Sequence, residues 1–115
     1  MTEHLVESWL TLPEVAQRLD VSPSRARQLV AERQLLAVRR GKNNALMVPA
    51  EFVQDGRVLK GLPGVLTLLA DAKYEDDEVL TWLYTPDNSL PGSPVQALVD
   101  NRGTEVKRRA QALNF

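Results

Sequence analysis

Side chains that can pair with nucleic-acid bases are concentrated on one face of residues 22–33. Stepping 100° per residue along a helix places Arg27 and Gln28 opposite its apolar side chains, with Arg25 on the flank. Arginine can donate two parallel hydrogen bonds to guanine, and glutamine can pair in the same way with adenine. The alternative is a polar, solvated face of a helical hairpin. The residues predicted to contact DNA from this segment are Ser22, Ser24, Arg25, Arg27 and Gln28.

A second basic group follows directly, between two short β-prone runs at residues 35–40 and 45–48. The tetrapeptide at 41–44 is rich in residues that tolerate positive φ, which predicts a β-hairpin. Its tip would carry cations suited to phosphate contacts or to the minor groove. The hairpin therefore predicts a wing over residues 37–48. The wing residues predicted to contact DNA are Arg39, Arg40, Lys42 and Asn43.

An earlier helix must position these groups. Thr11 can cap it, Pro13 suits its first turn, and Glu14 complements the positive end of its dipole. Its apolar residues recur at helical spacing at Leu12, Val15, Ala16 and Leu19. The pair Ser22–Pro23 is a strong signal for a new helix, which we expect to end near Arg33. Two short helices separated by three residues predict a helix-turn-helix, with small Ala16 and Ala26 where the helices meet.

The net charge of −1 over 115 residues hides a strongly uneven distribution. Residues 22–48 hold six basic side chains and one acidic side chain, and residues 71–78 hold five acidic and one basic. Residues 101–115 return to a net charge of +3. This asymmetry predicts a polyanionic partner on one face and an acidic region behind it, and chance clustering of surface charge is the alternative.

The sequence predicts two units, a winged domain over residues 1–56 and a helical module over residues 62–115. A turn-rich segment at 55–64 would connect them. We expect the apolar helix that begins at Leu62 to bury against the winged domain. The acidic residues near 75 predict a helix start rather than a metal site. Other expected features of this half are a helix at Ser93–Pro94, a Thr104 cap, an apolar face at Val106, Ala110 and Leu113, and a basic tail at Lys107–Arg109. Trp9, Trp82 and Tyr84 are interpreted as helical core residues.

The sequence contains no recognisable catalytic or metal-binding set of residues. The sequence has no cysteine, and its single histidine, His4, has no partners with catalytic or ligating spacing. We expect no enzyme activity, no cofactor and no metal. No apolar stretch approaches the ~20 residues of a membrane span and no secretory signal opens the chain, so a cytoplasmic, nucleoid-associated location is expected.

Residues 10–22, followed by residues 25–30, resemble the excisionase-like and MerR-like winged helix-turn-helix, and Leu35 through Pro49 is similar to that family's continuation. The second helix lacks the paired aromatic residues of MerR regulators, and no long coiled-coil helix follows. This departure argues against effector sensing and promoter distortion of the MerR kind.

The segment from Trp82 to Val106 resembles the C-terminal module of antitoxin-like proteins. The whole chain is similar to a small actinobacterial winged-helix DNA-binding family known from mycobacteria. That resemblance implies a mostly α fold with a winged helix-turn-helix, and a transcriptional regulator or nucleoid-associated factor. It also implies a Ser/Thr protein kinase as a partner, with Thr2 and Thr11 as the threonines near the N-terminus.

A homodimer is expected because one recognition helix reads only a short half-site. The competing function is a protein-interaction module that uses the helical C-terminal half.

Overall fold

The computed structural model describes residues 5–114, so His4 and Thr2 lie outside the described residues. The described residues contain six α-helices and five short strands, and the last four helices follow one another without an intervening strand. The helices are α1 (Leu12–Leu19), α2 (Pro23–Ala31), α3 (Leu62–Asp71), α4 (Asp76–Tyr84), α5 (Pro94–Val99) and α6 (Gly103–Ala112). The strands are β1 (Trp9–Thr11), β2 (Val38–Arg40), β3 (Ala45–Pro49), β4 (Val53–Gln54) and β5 (Arg57–Val58). The predicted fold class, a mostly α winged helix-turn-helix followed by a helical half, is confirmed.

The predicted helix-turn-helix and wing are present, with one additional strand. An antiparallel sheet contains the strands in the order β1, β3, β2. The central strand β3 pairs with β2, its predicted partner in the hairpin, and with β1, which we did not predict. Trp9 pairs with Pro49 in β1, which corrects its interpretation as a helical residue. Three residues are too few for a periodic pattern, so only the pairing with β3 makes this segment a strand.

The predicted seam at 55–64 begins with a second, unpredicted hairpin. Val53 pairs with Val58, and the connecting Asp55 and Gly56 both have positive φ, as a two-residue type I′ turn requires. An Asp-Gly pair between β-prone residues is the sequence signal that predicts such a hairpin. A short 3₁₀ turn at Ala50–Phe52 joins this hairpin to β3.

The helices of the C-terminal half pack mainly on one another. We expected α3 to bury against the winged half, but it lies chiefly against α6. Helix α5 contacts both α4 and α6. α6 begins at Gly103 with Arg102 in the N-cap position, so the prediction that Thr104 caps it is wrong. Leu113 is exposed beyond the end of α6, whereas the other two residues of its predicted face are buried.

One continuous hydrophobic core supports both halves. Phe52 is fully buried, and its ring lies 6.4 Å from that of Tyr84 at the junction between the winged half and α4. The Tyr84 hydroxyl donates a 2.8 Å hydrogen bond to the Glu51 carboxylate. Burial, with a smaller contribution from Glu51, raises the pKa of Tyr84 above its usual range. The two halves are therefore joined by apolar packing and by a partly buried hydrogen bond. Among the helices of residues 5–114, none has the length and apolar character to cross a membrane.

Candidate nucleic-acid interface

Caps at three helix ends determine where the outward face of α2 lies. The Thr11 hydroxyl accepts from the Glu14 N–H while the Glu14 carboxylate accepts from the Thr11 N–H, which forms a capping box. Hydrogen bonds to Thr11 hold the pKa of Glu14 below its usual value, and the bond from the Thr11 backbone N–H contributes more than the bond to its side chain. Asp20 ends α1 in a left-handed conformation, and Ser22 begins α2 by accepting a 3.1 Å hydrogen bond from the Arg25 N–H. The turn between the two helices is thus closed by specific hydrogen bonds.

The inward side of α2 packs against α1 as predicted. Ala16 and Ala26 are both buried where the two helices meet, and Leu29 is buried one turn further along. The residues of α2 that we predicted to contact DNA are consequently exposed. The exposed set includes Ser22 at the N-cap and, within the helix, Ser24, Arg25, Arg27 and Gln28. Their arrangement on one open helix face suits hydrogen bonding to base edges.

Glu32 organises two of these side chains, a role that its flanking position did not suggest. Its carboxylate lies 3.5 Å from the Arg25 guanidinium and accepts a 2.9 Å hydrogen bond from Gln28 Nε2. Arg27 makes a separate contact and donates a 3.4 Å hydrogen bond from its Nη2 to Ser24 Oγ. The spacing of four residues between Gln28 and Glu32 is the sequence signal for this pairing.

The hairpin tip presents three of the four predicted wing residues to solvent. Lys42 and Asn43 lie in the turn, which uses positive φ at Gly41 and Asn44. Arg39 is exposed on β2, and its Nη1 donates a 3.0 Å hydrogen bond to the Asn44 carbonyl. The tip is therefore basic and ordered by its own hydrogen bond.

Arg40 occupies a different place from the other wing residues. Its guanidinium lies 4.3 Å from the centre of the Trp9 ring, and the side chain is half-buried on the sheet. This cation–π contact holds the guanidinium against Trp9 of β1, on the sheet. No signal in the sequence indicated it, because the contact depends on the unpredicted strand β1.

Two other predicted basic groups are drawn into contacts within the protein. Arg33 follows α2 with a positive φ, so the helix ends before the predicted boundary, and its guanidinium lies 3.1 Å from Asp76 at the start of α4. The acidic region therefore meets the basic region here instead of lying wholly behind it. In the basic tail, Arg109 donates to the Ser89 hydroxyl at 2.8 Å and to the Glu105 carbonyl at 2.7 Å. Lys107 and Arg108 remain exposed on α6.

The side chains of residues 5–114 form no group of three or more acidic or histidine ligands that could hold a metal ion. The acidic residues at the start of α4 instead act at the helix end. The Glu75 side chain caps α4, and Glu78 completes a reciprocal capping box.

Comparisons with known proteins agree with this architecture. Residues 4–53 match the family model described as "DNA-binding protein Rv2175c, wHTH domain", and residues 59–114 match "Rv2175c C-terminal domain of unknown function". The protein named "DNA-binding protein Rv2175c" from Mycobacterium tuberculosis is 42% identical over 117 residues, covering 90% of this chain and 79% of that protein. The solved NMR structure of Rv2175c has a TM-score of 0.84 at 39% identity, and the match covers 95% of this chain and 82% of that one.

These matches confirm the predicted resemblance to a mycobacterial winged-helix family. The finer resemblances to excisionase-like, MerR-like and antitoxin-like proteins stay predictions. Together, the two matched segments, the overall identity and the shared fold establish that this chain belongs to the Rv2175c family.

Proposed function

We propose that this chain binds double-stranded DNA, with α2 in the major groove and the β2–β3 hairpin against the sugar-phosphate backbone or the minor groove. The observation that carries this proposal is the exposed polar face of α2, which projects from a capped and tightly packed helix-turn-helix. The relationship to a protein named as DNA-binding supports it. The function is that of a transcriptional regulator or nucleoid-associated factor in the cytoplasm, and no catalytic step is assigned to it.

The two parts of this surface have different roles. Arg25, Arg27 and Gln28 carry forked or paired donors that can distinguish bases in the major groove. Arg39 and Lys42 are cations on a hairpin tip, which suits contacts to phosphates that are shared by all sequences. The hydroxyls of Ser22 and Ser24, and the side-chain amide of Asn43, add short-range hydrogen-bonding groups along the same path.

A homodimer and a kinase partner are part of the same proposal. A single α2 covers one short half-site, so a homodimer would present two such helices to a longer site. Of the two threonines near the N-terminus to which the kinase resemblance draws attention, Thr11 lies among the described residues. The Thr11 hydroxyl accepts a hydrogen bond from the Glu14 backbone N–H in the capping box. A phosphate on this hydroxyl would therefore alter the hydrogen bonding that begins α1.

Fluorescence anisotropy with labelled duplexes at several salt concentrations tests the proposal. The wild-type chain is expected to bind duplex DNA with an affinity that falls as salt rises. Lys42→Ala and Arg39→Ala should each weaken binding to every duplex and reduce the slope of log affinity against log salt by ~1. Lys60→Ala serves as the matched control, because it removes an exposed cation outside the proposed interface.

The result that contradicts the proposal is a wild-type chain that binds no duplex at about 0.1 M salt. An equal loss for the Lys60 variant and the two hairpin variants would contradict the role of the wing. In that case the salt dependence would report the total charge of the protein rather than contacts from this hairpin.

A further inference from the structure

A groove of about 720 Å³ lies between α4 and the loop that connects it to α5, within the half matched as a domain of unknown function. Two half-buried aromatic rings and a buried proline supply apolar surface. Three carboxylates belong to the same lining. The lining residues that carry the argument are Tyr74, Asp77, Glu78, Trp82, Asp87 and Pro94.

The groove is acidic, and none of its lining residues is basic. The Asp87 carboxylate accepts hydrogen bonds from the Ser89 hydroxyl at 2.6 Å and from the Ser89 N–H at 2.8 Å, which together hold the pKa of Asp87 below its usual value. Glu78 accepts a 2.9 Å hydrogen bond from the Glu75 N–H. The nearby Arg109 contacts the loop at Ser89 and does not line the groove. Two of the three carboxylates are thus held in place by local hydrogen bonds.

This combination of aromatic and acidic surface suits long cationic side chains. A lysine or arginine can lay its apolar stem against the Trp82 or Tyr74 ring while its charged end approaches a carboxylate. DNA would be repelled by the same carboxylates. An open groove surrounds a small cation only in part, whereas an extended peptide can place several side chains along it.

We propose that the groove binds an extended segment of a partner protein that contains lysine and arginine. The proposal does not rest on DNA binding. The groove lies on α4, whose first residue, Asp76, pairs with Arg33 directly after α2. A partner seated there would therefore lie on the helix that contacts the end of the proposed recognition helix.

Nuclear magnetic resonance of the ¹⁵N-labelled full chain can test this proposal, because its two tryptophans report on different regions. Trp9 lies in the sheet and Trp82 lines the groove, and a Trp9→Phe variant assigns the two indole N–H signals. The probe is a peptide with an acetylated N-terminus and an amidated C-terminus, in which the sequence Arg-Ala-Lys is repeated. We expect a saturating shift of the Trp82 indole and of backbone amides in residues 77–88, with Trp9 unchanged.

Charge variants provide the matched comparison. Asp77→Asn combined with Glu78→Gln should weaken peptide binding about fivefold, since two carboxylates are lost while glutamine can still accept in the capping box. Glu7→Gln combined with Asp71→Asn removes the same charge from exposed positions outside the lining and should leave binding unchanged.

Several results would overturn the proposal. A peptide with glutamine at every basic position that binds equally well would remove the need for cations. Equal weakening by both double variants would indicate general charge attraction. Equally tight binding of lysine amide alone would make the groove a small-cation pocket, and a shift of Trp82 with protein concentration alone would assign it to a second copy of the chain. The absence of any shift at about 1 mM peptide would also overturn it.

Discussion

The basic surface on α2 and the wing differs from the acidic groove beside α4 in how its charges are held. Two of the three carboxylates in the groove accept hydrogen bonds from nearby backbone N–H groups, Glu78 from Glu75 and Asp87 from Ser89. On the basic surface, Arg25 and Gln28 reach Glu32 through long and exposed side chains. The groove is therefore built in position, whereas the basic surface can exchange its internal partners for external ones.

Both regions nevertheless stand on one hydrophobic core. Apolar packing does not depend on the sign of the charges above it, so the same core can carry two oppositely charged surfaces. The net charge of −1 reflects their cancellation and describes neither region. The charges that select a partner are therefore local, while the core that provides stability is shared.

The largest effect should come from Phe52→Ala, which tests whether stability is shared. Phe52 is fully buried beside Tyr84, so its truncation should lower the free energy of unfolding by about 3–5 kcal/mol. Urea unfolding followed through single-tryptophan variants, with Trp9 reporting on one half and Trp82 on the other, should show both transitions moving together. Separate transitions, with only one displaced, would mean that the halves are independent.

Arg27→Ala tests the basic surface as a reader of bases. The loss of forked donors should cost ~1–3 kcal/mol of binding free energy at particular base positions. Competition between duplexes with single base-pair changes measures this loss, and Gln28→Ala should affect other positions. Arg108→Ala, which removes an exposed arginine from α6, is the control. A uniform loss across all duplexes would assign Arg27 to phosphates instead.

Tyr84→Phe tests the hydrogen bond that joins the winged half to the C-terminal half. Loss of the 2.8 Å bond to Glu51 should cost about 1 kcal/mol of unfolding free energy at neutral pH. Because the folded protein raises the pKa of Tyr84, this stability is fully present below the unfolded tyrosine pKa near ~10 and is lost as the pH rises beyond it. Denaturation at several pH values should show wild type and variant converging above about pH 10. A constant difference at all pH values would contradict this assignment.

Glu32→Gln should have the smallest effect, and it tests whether the basic surface exchanges partners. Removing the carboxylate frees Arg25 from its ion pair and reduces repulsion of phosphates, so duplex affinity should rise about twofold to fivefold. Glu7→Gln is the matched control, because it removes an exposed carboxylate outside the proposed interface. Weaker binding by the Glu32 variant would show that the carboxylate contributes to recognition itself.

Local sequence signals were sufficient for most helices and for the wing. Ser22–Pro23 and Ser93–Pro94 each begin a helix as predicted, because a hydroxyl cap followed by proline acts within one turn. The end of α2 at Ala31 and the cap of α6 were less predictable, since neighbouring residues compete for the same role. Strand β1 was missed because a three-residue strand is stabilised only by its partner.

The first two helices, the polar face of α2 and the basic hairpin were predictable from the sequence, since caps, turns and helical periodicity act over a few residues. The tertiary structure alone decided which of those charges remain available. Arg33 is paired with Asp76, 43 residues away, Arg109 with Ser89, and Arg40 is placed over Trp9. Contacts between residues so far apart depend on how the elements pack, and packing is a property of the whole core.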